Sequence, residues 1–148
     1  MRKAVTLAAF ALILAAALLM GACGSESQPA QVVSATVGSP SLGEYSLVLD
    51  KPSIPAGKTR FQVRNEGLID HDFIVIDTNL PPDGLKIIAN KVDIPASGRE
   101  VGRTIVILAG REQSVTVNLK PGKYVVTCNI DGHYQEGAYT TLEVTRAS

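Results

Sequence analysis

From residue 31 to the C-terminus the chain is a succession of short β-branched segments, each cut off by a turn signal. The segments are "QVVSATV" (31–37), "YSLVLD" (45–50), "TRFQVRN" (59–65), "HDFIVID" (71–77), "RTIVILA" (103–109), "QSVTVNL" (113–119), "KYVVTC" (123–128) and "AYTTLEVT" (138–145). Between them stand "IPAGK", "NEG", "LAGR", "KPGK" and "DGH". Such runs, punctuated by Gly, Pro and Asn, are strands joined by turns. Their number and spacing predict an all-β, Greek-key antiparallel β-sandwich of about eight strands, with 31–37 at an edge. One stretch breaks the rhythm. "TNLPPDGLKIIANKVDIPASGREVG" (78–102) is too long for a hairpin loop, and its "GLKIIAN" could form a helical turn. Long loops in compact domains are often functional or mobile.

The N-terminus belongs to a different regime. "MRK" is basic, "AVTLAAFALILAAALLM" carries no charge, and "GAC" brings small residues up to Cys23. That order describes a secretory signal rather than a core helix. Its end, "MGAC", resembles the lipobox of bacterial lipoproteins, with Met20 where leucine is commonest. The resemblance implies that residues 1–22 are removed and that Cys23 carries a lipid. Residues 23–30, polar and small, have the composition of a flexible tether. The apolar run also approaches the ~20 residues that span a bilayer, so an uncleaved anchor is the competing reading. Both place the 31–148 domain outside the cytoplasm on a membrane, at the cell surface or the periplasmic face.

Charge narrows the partners. The chain has 14 basic and 14 acidic residues, and loss of Arg2 and Lys3 with the signal leaves the domain slightly acidic. With no basic stripe, nucleic acid is not the expected partner. With Cys23 lipidated, Cys128 has no cysteine to pair with in the same chain. A lone thiol in an oxidising compartment is buried, pairs between chains, or binds something. The only methionines, Met1 and Met20, leave with the signal.

Alternation along 123–128 puts Tyr124, Val126 and Cys128 on one face, and along 71–77 it groups His71, Phe73 and Val75. "NIDGH" after Cys128 is a tight loop that can swing His133 back towards the sulfur. Both histidines of the chain and its one unlipidated cysteine therefore fall at strand ends. Taken singly, a buried cysteine is an inert small hydrophobe and a strand-end histidine is a solvated side chain. Taken together, a thiolate and two imidazoles on a rigid β scaffold describe a trigonal blue-copper site.

On these residues the chain resembles the cupredoxins, the small blue-copper proteins. "IPAGKTRFQVRNEGLIDHDFIVI" looks like the strand pair that leads to the family's first copper histidine, here His71. "VTVNLKPGKYVVTCNIDGHYQEGAYTTLEVT" looks like the C-terminal hairpin with its C-x-x-x-x-H ligand loop, here Cys128 and His133. The resemblance implies one type 1 copper ion, electron exit through the His133 edge, and hydrogen bonds from Asp72 that tie the ligand loops together. It implies a monomeric electron carrier that meets a redox partner protein at the membrane surface.

Two positions depart from the family. Asp131 stands where the loop usually has proline, and Ala138 stands where the weak axial methionine is expected. An axial position that is empty, or met weakly by a carbonyl near Ile69 or Asp70, implies a raised potential. An oxygen ligand from Glu136 or Gln135 would lower it or admit zinc. Degenerate copper binding is the third option. Copper storage, delivery or tolerance competes with electron transfer, as does a zinc-bound or metal-free interaction domain. Nothing in the sequence supplies a second metal centre or a Ser-His-Asp set, so an enzyme is not expected.

Overall fold

The computed structural model describes residues 29–147. The signal segment, Cys23 and the tether up to residue 28 lie outside the described residues. Eleven strands and one short helix follow in order. The strands are β1 (Gln31–Ser39), β2 (Gly43–Leu49), β3 (Ser53–Pro55), β4 (Gly57–Asn65), β5 (Ile74–Asp77), β6 (Ile87–Ile88) and β7 (Lys91–Val92). After helix α1 (Ile94–Ser97) come β8 (Arg99–Arg103), β9 (Glu112–Leu119), β10 (Gly122–Thr127) and β11 (Tyr139–Thr145). Among the described residues no helix is long and apolar enough to cross a membrane.

Two sheets make a β-sandwich, ordered β2-β1-β4-β9 and β3-β11-β10-β5-β8. The sheets are mixed rather than wholly antiparallel. β1 runs parallel to β4 and β11 parallel to β3. The chain leaves the first sheet after β2, places β3 in the second, and returns with β4 alongside β1. This crossover also makes β1 an interior strand, not the expected edge.

Period-two patterning builds the core. Val33, Ala35 and Val37 of β1, with Phe61 and Val63 of β4, face Phe73, Val75, Tyr124, Val126, Leu142 and Val144 from the other sheet. The rings of Phe61 and Phe73, with centroids 5.2 Å apart, join the two layers.

Residues 78–98 cross the outer face of the second sheet, where Leu85 and Val92 pack with Ile74, Ile76, Val125 and Tyr134, and 99–102 join that sheet in β8. "GLKIIAN" forms no helical turn. Ala89 (φ 47°) and Asn90 (φ 61°) make a left-handed two-residue turn between β6 and β7, the geometry that joins tight hairpins. The helix lies further on, where the Asp93 side chain accepts the Ala96 N–H at 3.3 Å and Pro95 occupies the first turn.

The expected strand over 103–109 is also displaced. β8 ends at Arg103, and only Thr104 and Ile107 of the following run turn inward, while Ile105, Val106 and Leu108 are exposed. Alternation stops because Thr104 and Ile107, three apart, pair with Phe73 and His71 around an irregular turn.

Candidate metal centre

Three loops meet at one end of the sandwich: 66–73, 104–111 and 128–138. Asn65, at the end of β4, holds the first two together from a fully buried position. Its Nδ2 donates to the carbonyls of Ile69 (2.7 Å) and Ile107 (2.8 Å), and its Oδ1 accepts the Gly67 N–H (3.0 Å). His71 pairs through its backbone with Ile107. The pairing fixes the His71 backbone before the chain enters β5. Sequence reasoning passed over Asn65, because an Asn before "EG" reads as turn chemistry.

The third loop starts where β10 ends. The Cys128 N–H donates to the Ala138 carbonyl at 2.9 Å, and the Ala138 N–H donates to the His133 carbonyl at 3.0 Å. These bonds fold 129–137 into consecutive turns that bring His133 over the sulfur. The 85–92 segment braces the same loop. Asn129 accepts the Val92 N–H (2.6 Å) and donates to the Val92 carbonyl (3.2 Å), and the Tyr134 hydroxyl accepts the Leu85 N–H (2.9 Å).

The ligating atoms of His71, Cys128 and His133 lie within 4.8 Å of one another, and all three residues are buried. Cys128 Sγ is 3.4 Å from His133 Nδ1, which is 3.3 Å from His71 Nδ1. Metal bonds of about 2.0–2.3 Å arranged in a plane need separations of ~3.5–3.8 Å, so these two pairs need to part by only tenths of an ångström, and no two donors lie more than 4.8 Å apart. One sulfur and two imidazole nitrogens are the donor set of a trigonal copper site. His71 and Cys128 are fully buried, and His133 is 8% exposed.

Asp72 links the loops in two ways. Its N–H donates to Cys128 Sγ at 3.3 Å and its Oδ1 accepts the Asn129 N–H at 2.6 Å. Burial and then the Asp72 charge push the Cys128 thiol up to about 12. The metal-free site therefore holds a thiol at neutral pH, and metal entry must displace its proton. Burial lowers both histidines below their ordinary value, and the neighbouring His133 lowers His71 further. Both imidazoles are then neutral and able to present a lone pair.

Ala138, 1% exposed, fills the position where the family resemblance places methionine. Gln135 and Glu136 are exposed, and among the described residues no carboxylate joins the three donors. The Ile69 carbonyl is already engaged by Asn65. Glu44, which the sequence did not single out, stands on the far side of His71. Its Oε1 is 3.7 Å from His71 Nε2.

A β-sandwich carrying a His-Cys-His cluster among the loops at one end is a cupredoxin fold. No family model and no curated protein sequence matches the chain. Solved structures do. Auracyanin B is 24% identical, with a TM-score of 0.57, over 79% of this chain and 90% of its own. Reduced auracyanin from the photosynthetic bacterium Roseiflexus castenholzii is 16% identical, with a TM-score of 0.54, over 79% of this chain and 98% of its own. Rusticyanin from Thiobacillus ferrooxidans is 19% identical, with a TM-score of 0.61, over 77% of this chain and 76% of its own. Rusticyanin is described as a copper protein.

Proposed function

We propose that this chain is a membrane-anchored, extracytoplasmic one-electron carrier whose His71, Cys128 and His133 hold a single type 1 copper ion. The observation that carries the reading is the convergence of one sulfur and two imidazoles, all buried, with their ligating atoms within 4.8 Å of one another. Copper bound there would supply a Cu(I)/Cu(II) couple. The chain's part is to keep the donors in one arrangement in both oxidation states. Asp72, Asn65 and Asn129 do this by tying the ligand-bearing loops to each other and to the sheets.

Burial favours electron transfer over storage or delivery, which call for an accessible, exchangeable site. A closed structural zinc site takes four protein ligands, and three converge here. His133 is the ligand that reaches the surface, and Tyr45 packs edge-on against it at 5.1 Å. Loops at this end also expose Leu42, Leu68, Ile105 and Leu108, apolar surface suited to a transient protein partner.

Voltammetry of the copper-loaded domain tests the carrier reading. A reversible one-electron wave with rapid self-exchange is expected. Tight Cu(I) uptake without reversible reoxidation would replace it with the storage reading. The lipid anchor at Cys23 is supported by the "MGAC" junction alone. It predicts that Cys23→Ser moves the protein from the membrane-bound to the detergent-free fraction or leaves its signal uncleaved. Unchanged processing and fractionation would contradict it.

A further inference from the structure

His71 is fully buried, and its Nε2 has no hydrogen-bond partner among the described residues. A buried N–H left unpaired costs on the order of 1–3 kcal/mol, so an orphan beside a metal-ligand cluster calls for a partner. The nearest carboxylate oxygen in the ion pairs is Glu44 Oε1, at 3.7 Å, just beyond hydrogen-bond range.

The placement of Glu44 is itself built. Its Oε1 accepts the N–H groups of Leu68 (2.8 Å) and Ile69 (3.1 Å). The carboxylate lies where a side chain on residue 67 would be, and an added Cβ at Gly67 would collide with it. Gly67 in turn packs against Gly38 in β1, where a Cβ would come within 2.9 Å of the Gly67 Cα. Gly38 has φ 61° and marks the register shift between Val37 and Ser39. A bulge in β1 and two glycines thus open a slot for one carboxylate, aimed at the back of one imidazole.

We propose that Glu44 is the positioning residue for His71, receiving its Nε2–H and so holding the Nδ1 lone pair on the side of Cys128 and His133. An imidazole has one N–H in its neutral form, and a partner at one nitrogen sets which nitrogen is free to ligate. A metal drawing density from Nδ1 would strengthen the Nε2–H donor and shorten the 3.7 Å separation. The Glu44 charge also lies against the ligand set, where it favours Cu(II) over Cu(I).

The test uses wild type, Glu44→Gln, Glu44→Ala and Gly67→Ala. Glu44→Gln keeps an acceptor and removes the charge. Gly67→Ala keeps the charge and displaces the carboxylate. In the metal-free domain, nitrogen NMR of the His71 ring should show the Nε2–H tautomer in wild type and Glu44→Gln, and its loss in the other two. The same tautomer in all four proteins would overturn the proposal.

A second readout rests on the copper reading. Glu44→Gln should lower the affinity ratio of Cu(II) to Cu(I) about tenfold, raising the potential by ~59 mV, with an unchanged electron spin resonance spectrum. An unchanged potential would remove the charge effect. A wild type that binds no copper would overturn the proposed function, while the tautomer result would still decide the role of Glu44.

Discussion

At the scale of single residues, Ala138 bears most on the proposed copper site, where the family resemblance expects an axial methionine. It is buried beside the ligand loop, its carbonyl accepts both the Cys128 N–H and the Thr127 hydroxyl, and it brings no sulfur. A thioether at that place would stabilise Cu(II), because the axial ligand is one of the levers on a blue-copper potential. Ala138→Met is therefore expected to lower the reduction potential measured by voltammetry, with the Cys128-dependent absorption retained. An unchanged potential would mean that the axial position is already filled. The three donors were legible in the sequence because alternation pointed His71 and Cys128 inward, and the short loop after Cys128 could return His133 to the sulfur. Glu44 and Asn65 were not. Each acts on residues brought near by the fold, through a bulge and two loop crossings that leave no local pattern.

At the scale of elements, the ligand loop is braced by the 85–92 segment, which the sequence marked as part of a long connection with a possible helical turn. Asn129 pairs with both backbone groups of Val92 as a strand would. Removing the side chain leaves a nearly buried Val92 N–H without its acceptor, at a cost of about 1–3 kcal/mol. In Asn129→Ala, hydrogen exchange should accelerate in β6, β7 and 129–134, while β4 and β9 keep their protection. Equal loss of protection in β4 and β9 would show that the brace is not a local device. The strand positions in this region were misread for a physical reason. Apolar runs such as 103–109 score as strands whether they face the core or solvent, and Ile105, Val106 and Leu108 face solvent. "GLKIIAN" was ambiguous for a different cause. Two isoleucines before Ala-Asn suit either a helical turn or a tight hairpin, and packing of Val92 against the sheet selects the hairpin.

At the scale of the whole molecule, a two-layer sandwich fixes the positions of three loops, and those loops place one sulfur and two nitrogens. The sandwich itself was legible from period-two alternation, but the order of its strands was not. A one-sided burial pattern such as that of β1 is the same at an edge and in the interior. The proposed electron transfer depends on the layers staying still while charge at the site changes, which a close-packed β core provides. The most direct measurement is the visible and electron spin resonance spectrum of the 31–148 domain with one equivalent of Cu(II), beside that of Cys128→Ser. An intense blue thiolate-to-copper band in wild type, absent from Cys128→Ser, is the expected result. A colourless wild-type protein, or a spectrum unchanged by loss of the sulfur, would contradict a copper site built on His71, Cys128 and His133.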